Sequence, residues 1–519
     1  MDRTGPSDRA TAGSPRGGIT RRALLKAAAA APLAAWAAPP ADAASARGDT
    51  SWDGAYDVVI VGSGFAGTSA AIEARRLGAS TLVVEKMAVF GGNSAINGGA
   101  FAVAGSPLQA REGVRDSVDR MVEDMLAAGR GLNHLPLLRV IAEGTRWAYE
   151  FTLEHGVAYK DALLQFGGHS VPRTLQTTNN SGGGIVVPLG RAARRMGAVF
   201  QNRTLLTDIL RGPSGEVAGI AVRDGYRFPD GGTGSPRRIR VRRGLVMATG
   251  GFSADLRFRM QQDPGLDASL ESTNHPGATA EGLAALLRSG ATPVQLDQIQ
   301  LGPWASPDEK GFGLSPQFLQ QAAFPYGILV DVRTGRRFVN EMADRKTRAD
   351  AIMQLRDAGG GPVYPVAFVA EEGTGDSPSL GDALRYGVAR KFGTVEALAE
   401  SYGIDRQGLA DQVRRYNECV RSGRDTEFGK TFFRKITLER GPFYAGRAWV
   451  KVHHCMGGVG INPRAEVLDM AAGEPIAGLF AAGEVTGGIH GASRLGSCAI
   501  AECLVMGRIA GENAARRGA

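Results

Sequence analysis

A run of largely β-branched residues, Tyr56-Asp57-Val58-Val59-Ile60-Val61, leads without a break into Gly62-Ser63-Gly64-Phe65-Ala66-Gly67. The run reads as a short buried strand, and Thr68 to Leu77 reads as the helix that follows. Thr81-Leu82-Val83-Val84-Glu85 is a second strand, and its closing acid stands 18 residues beyond Gly67. Strand, glycine turn, helix, strand and acid in this order specify a dinucleotide-binding turn. Gly62 makes the tight turn, Gly64 lets backbone approach a pyrophosphate, and Gly67 lets the helix pack on the strand. The helix N-terminus favours the phosphate charge, and Glu85 is placed to accept hydrogen bonds from ribose hydroxyls. The expected fold class is therefore α/β, built on a Rossmann-type domain.

The turn does not distinguish FAD from NAD, but later segments do. Gly91-Gly92-Asn93-Ser94-Ala95-Ile96-Asn97-Gly98-Gly99 reads as a loop that lets backbone approach a flat ring system. Leu245-Val246-Met247-Ala248-Thr249-Gly250-Gly251 is a strand ending in a second glycine turn. Gly478-Leu479-Phe480-Ala481-Ala482-Gly483-Glu484-Val485 is a third, far along the chain. Strands that return to one nucleotide site from distant parts of the chain point to FAD. The 73 glycines among 519 residues suit such a fold, and this length predicts two or more domains.

The four cysteines, Cys419, Cys455, Cys498 and Cys503, form no CxxC pattern, which argues against attached haem, an iron–sulfur cluster or structural zinc. No metal site is expected. The net charge of +8 comes from scattered residues, so no nucleic-acid footprint is present. At the N-terminus, Arg21-Arg22 precede an alanine-rich apolar run, and A-x-A sites end at Ala43 and Ala46. This order is that of a secretory leader, and it resembles a twin-arginine signal over residues 1–46. The run is too short to span a bilayer. The expected location is the periplasm or another exported compartment.

Three further stretches carry a family likeness. They are Val452-His453-His454-Cys455-Met456-Gly457-Gly458, the run from Gly483 to Gly496, and Arg337-Phe338-Val339-Asn340-Glu341-Met342-Ala343-Asp344-Arg345. With the nucleotide motifs, the chain resembles the flavoprotein family of fumarate reductase and succinate dehydrogenase. It is most like the soluble branch that contains flavocytochrome c fumarate reductase and urocanate reductase, here without a haem domain. The resemblance implies a Rossmann-type FAD-binding domain, residues 54–295 and 452–519, interrupted by an α+β capping domain, residues 296–451. It implies FAD contacts from Ala66, Glu85, Asn93, Ser94, Gly98, Gly99, Glu484, Ala499 and Ile500. Gly62, Ser63, Gly64, Gly67, Lys86, Thr249, Gly250 and Ser497 complete the expected cofactor set. Membrane-bound relatives attach FAD through a histidine in the loop matching Gly91 to Gly99, and no histidine lies there, so non-covalent FAD is expected. Within the cap, Gln407 to Arg421 reads as a helix and Arg421 to Phe428 as an exposed charged loop.

The resemblance also implies a chemistry. Flavin N5 passes hydride to the β-carbon of an α,β-unsaturated acid, and a donor protonates the α-carbon. Arg494 and His454 take the places that bind the substrate carboxylate, and Arg345 takes that of the proton donor. His453 is expected to be a structural neighbour, and His490 to support its loop. The fumarate-specific branch has a second carboxylate clamp, a histidine where Gly302 stands in Leu301-Gly302-Pro303-Trp304. Its proton relay, a glutamate and an arginine, aligns with Gln320 and Ala323. The expected substrate is thus a small organic acid with one carboxylate and an apolar or aromatic far end, against which the Trp304 indole offers a stacking face. A separate carrier, such as a periplasmic cytochrome or a quinol-linked donor, is expected to supply electrons. The alternative is a dehydrogenase or oxidase that desaturates a small acid or ketone, steroid-like substrates included.

Overall fold

The computed structural model describes residues 51–375 and 377–518. The expected leader, residues 1–46, lies outside them. The chain enters on β1 (Gly54–Val61), whose Val58, Val59 and Ile60 are fully buried. Burial on both faces is what an apolar run in a parallel sheet requires. The helix α1 (Phe65–Arg76) follows and returns the chain to β2 (Thr81–Val84), parallel to β1 with Val61 opposite Val84. The segment read as a loop from Gly91 holds a short helix, Gly92–Ile96, started by Gly91 at a φ of 109°.

The strand β3 (Val199–Gln201) extends the sheet beyond β2. The hairpin β4 (Thr204–Arg211) and β5 (Val217–Asp224) leads to the long β6 (Ser235–Met247). The first part of β6 pairs antiparallel with β5, and from Ile239 to Met247 it runs parallel to β1.

The chain then leaves on β7 (Ile299–Ala305) and builds a second, five-stranded antiparallel sheet. Its strands are β8 (Ile328–Asp331), β9 (Arg336–Arg337), β10 (Val366–Ala370), β11 (Arg390–Phe392) and β12 (Phe443–Arg447). Between them lie α2 (Arg345–Met353) and α3 (Arg406–Ser422). The stretch read as an exposed charged loop is partly interior. Asp425 is buried and accepts both terminal nitrogens of Arg337, at 3.1 and 3.0 Å. Arg337 also forks onto Glu341 at 2.8 and 2.7 Å, and all three side chains are sealed from solvent. Periodicity does not reveal this, because a buried cation reads as a surface one until its acids are in place.

The chain returns on β13 (Trp449–Cys455), antiparallel to β7. The strands β14 (Glu466–Leu468) and β15 (Pro475–Ala481) then complete the first sheet, β15 running parallel to β6. The last helix, α4 (Cys498–Arg516), packs against α1 through small residues. A Cβ at Gly507 would meet the Ala66 carbonyl oxygen at 2.4 Å, and one at Gly511 the Ala70 oxygen at 2.3 Å. This close approach pins the helix whose N-terminus faces the nucleotide turn. No helix among the described residues is long and apolar enough to cross a membrane.

Candidate active site

The carboxyl ends of β1, β2, β6 and β15 open into one cavity of about 970 Å³, the crevice where open α/β sheets bind ligands. Gly62, Ser63, Gly64, Ala66, Glu85, Lys86, Asn93, Ser94, Thr249, Gly250 and Glu484 all line it. Gly67 and Gly99 do not. A Cβ at Gly67 would meet the Gly62 carbonyl oxygen at 2.0 Å, and Gly99, at a φ of 66°, is pressed against Thr177 and Ser181. Both shape the site by close packing.

The cavity fits the adenine, ribose and diphosphate of a dinucleotide. A Cβ at Gly64 would stand 2.8 Å from Ser94 Oγ, so only glycine leaves backbone exposed there. Gly64 gives the first turn of α1 no side-chain cap, and the Phe65 amide there donates instead to Ser94 Oγ at 2.9 Å, so this helix N-terminus faces the cavity with Ser94 beside it. Thr249 Oγ1 is buried without a partner. Glu85 Oε2 accepts from Ser63 Oγ at 2.6 Å, so the second strand and the turn hold one another. Lys86 is not free for phosphate, since it donates to Glu281 at 3.0 Å and to Thr279 Oγ1.

A second cavity of about 930 Å³ continues from the first and shares Phe65, Asn93, Ser94, Glu484 and Cys503 with it. Gly98, Ser497, Ala499 and Ile500 line it, and so do Arg345, His453, His454 and Arg494. Ser497 holds a left-handed backbone, φ 60°, at the start of α4, a strained geometry of the kind that gathers at functional sites. Arg345 is the first residue of α2, whose cap Asp344 accepts the Thr347 amide at 3.1 Å. Its guanidinium lies 5.4 Å from the Trp304 ring centroid and donates from Nη1 to Gln300 Oε1 at 2.9 Å.

The two histidines divide differently from the expectation. The register of β7 against β13 slips between Gln300 and Leu301, leaving one extra residue on β13. This bulge turns His453 and His454 toward the same cavity, where regular alternation would admit only one. His453 Nε2 meets Arg494 Nη2 at 3.1 Å, and its Nδ1 meets Thr273 Oγ1 at 2.7 Å. His454 turns the other way, with Nδ1 3.5 Å from Glu484 and its ring 5.5 Å from that of His490. The place beside Arg494, read from the sequence as that of His454, is therefore held by His453. His490 Nε2 bonds to Glu502 at 2.8 Å, both buried, behind the cavity.

Electrostatics follow from burial. Arg345 is held well below the usual arginine range by burial and then by the charges of Arg494 and Arg348. Burial also lowers Arg494. Both histidines are driven well below the usual range by burial and the neighbouring guanidiniums, so they are neutral. Burial pushes Glu484 up to about 7.

Trp304 does not present the expected stacking face. Its ring packs 4.5 Å from His453, at a near-perpendicular 84°, and lies beside the Arg345 guanidinium. It also covers Gly302, where a Cβ would meet ring carbons at 2.8 to 3.1 Å. No clamp side chain fits at position 302 while the indole is there. Gln320 lines the cavity from a π-helical turn, Leu319–Ala323, and the aligned Ala323 is fully buried.

The FAD binding domain family matches residues 57–500. The acrylate reductase flavoprotein subunit of Shewanella woodyi is 48% identical over 95% of this chain and 97% of its own length. The chain belongs to the FAD-binding flavoproteins of the fumarate reductase family. The urocanate reductase of Eggerthella lenta is 32% identical over 88% of this chain and 74% of its own. Among solved structures, the open conformation of a flavocytochrome c3 fumarate reductase superposes with a TM-score of 0.70 at 30% identity, covering 98% of this chain and 82% of that one. As a member of this family the chain is a FAD-dependent oxidoreductase, and its cofactor is FAD. Gln300 was not anticipated, although it sits two residues before Gly302 and so on the same strand face. Phe166 and Asn274, also in the wall, carry no sequence signal, because neither belongs to a motif and both arrive from loops.

Proposed function

We propose that this flavoprotein reduces the C=C bond of a short α,β-unsaturated acid with a single carboxylate. The observation that carries this is the charge census of the second cavity. Its guanidiniums are Arg345 and Arg494, and the place of a further clamp is filled by Trp304 over Gly302. The similarity to an acrylate reductase subunit supports the same substrate class.

Arg494 offers a planar fork to the carboxylate, and His453 stands beside it. Hydrogen bonds from that fork, which His453 Nε2 holds in place by accepting from it, draw electron density toward the carboxylate and make the β-carbon electrophilic. Bound FAD supplies the hydride from N5. Arg345 gives a proton to the α-carbon. Burial and the nearby Arg494 charge already disfavour its protonated form, which lessens the barrier to that transfer. A separate electron carrier reloads the flavin.

The panel that tests this offers acrylate, methacrylate, cinnamate and fumarate to the enzyme with reduced viologen. Acrylate and methacrylate are expected to turn over best. The second carboxylate of fumarate would be desolvated without a partner, a loss of about 1–3 kcal/mol and thus roughly fivefold to a hundredfold in kcat/KM. Fumarate equal to or better than acrylate overturns the reading. The flavin is read as non-covalent, because no histidine lies between Gly91 and Gly99. Acid precipitation is expected to release all yellow colour, and flavin left on the pellet would contradict that.

A further inference from the structure

We infer that Gln300 is the positioning residue that aims Arg345 at the reacting carbon, an inference that rests on the proposed reduction. Gln300 lies in β7, is 3% exposed and has each of its amide atoms bonded. Its Nε2 donates to the Arg494 carbonyl oxygen at 2.9 Å and to Ser493 Oγ at 2.9 Å. A carbonyl only accepts, so the amide cannot be flipped, and Oε1 must face Arg345. Oε1 then accepts from Arg345 Nη1 at 2.9 Å. One neutral side chain thus ties the proton donor to the backbone of the carboxylate-binding arginine, across the gap where the two like charges repel.

The consequence is a division of the guanidinium. Nη1 is committed to Gln300. Nη2 stands over Gly496, where a Cβ would lie 3.5 Å from it and 3.2 Å from Phe166. The fork has a fixed plane, so holding one nitrogen fixes the other. A neutral acceptor is also the right kind. A carboxylate in its place would hold the proton on Arg345, whereas an amide orients the group without stabilising its charge strongly.

The experiment uses the flavin-loaded enzyme with acrylate and reduced viologen, and propanoate binding read from flavin absorbance. Gln300→Leu is expected to lower kcat about a hundredfold, as a misplaced catalytic group does, while KM and the propanoate Kd stay within about threefold of wild type. Gln300→Glu is expected to be slow at neutral pH and to recover toward wild type as the pH falls. A protonated carboxyl keeps the acceptor toward Arg345 and one donor for the Arg494 carbonyl, whereas the carboxylate has no donor. A Gln300→Leu enzyme with unchanged kcat, or a Gln300→Glu enzyme whose pH profile parallels wild type, overturns the inference. So does a propanoate Kd that weakens in step with kcat, since that assigns Gln300 to binding. A wild-type enzyme that reduces no enoate sinks the proposed function itself, and propanoate binding then still reads the site.

Discussion

His453 and His454 are adjacent and chemically identical, yet their surroundings give them separate tasks. His453 meets Arg494 and Thr273, on the side of the cavity that holds the two guanidiniums. His454 meets Glu484, which lines both cavities, and its Nε2 is buried without a partner. Truncating each to alanine separates these roles. His453→Ala leaves Arg494 short of a partner in a buried site, a loss of about 1–3 kcal/mol, and is expected to raise the KM for acrylate roughly fivefold to a hundredfold. His454→Ala is expected to weaken retention of the flavin and to leave that KM nearly unchanged. Steady-state kinetics and flavin content distinguish them, and the reverse pattern would return the carboxylate role to His454. Neither effect should follow the ordinary histidine titration near neutral pH, because burial and the arginines keep both rings neutral.

At the scale of elements, the site depends on the contact between α1 and α4. Helices come this close only where small residues let backbones touch. Gly507 and Gly511 of α4 meet the backbone of Ala66 and Ala70 in α1. Gly507→Ala would place a methyl 2.4 Å from the Ala66 oxygen, so α1 must shift away. Since Ala66 also lines the nucleotide cavity, the strain should reach the cofactor. The expected cost is about 1–3 kcal/mol of stability, with a lower melting temperature and reduced FAD occupancy in the purified protein. Wild-type values for both would show that the helices have slack that the packing does not reveal. The β7/β13 bulge is the other decisive element, since it alone brings both histidines to one wall.

Across the whole molecule, β7 and β13 carry the chain between the flavin-binding sheet and the second sheet. We propose that residues 296–451 form a cap over the substrate, because Arg345, Gln300 and Trp304 come from that segment and Arg494 from outside it. We propose that the protein is exported with its cofactor in place, which would suit a reduction fed by a separate carrier. Residues 1–46 are read as a twin-arginine leader for that purpose. Replacing Arg21-Arg22 by Lys-Lys is expected to hold the full-length chain in the cytoplasm, and normal export of that variant would refute the leader's type.

The nucleotide-binding half was legible in the sequence because its constraints are local. A glycine turn between a strand and a helix needs residues at fixed offsets, and Gly62, Gly64 and Glu85 lie where that geometry demands. Arg345 and Arg494 came instead from the resemblance, through the continuous motifs in which they sit, and the fold brings both to the wall of the second cavity. What only the tertiary structure decided involves distant segments. The neighbouring histidines could not be told apart, because strand alternation assumes a regular register and a bulge breaks it. Gln300 has no motif, and its role exists only where β7 meets the start of α2 and the Ser493–Arg494 turn. Trp304 read as an open aromatic face until Arg345 and His453 were found against it. Asp425 read as part of an exposed loop for the same reason: its burial is known only once Arg337, 88 residues away, is brought against it.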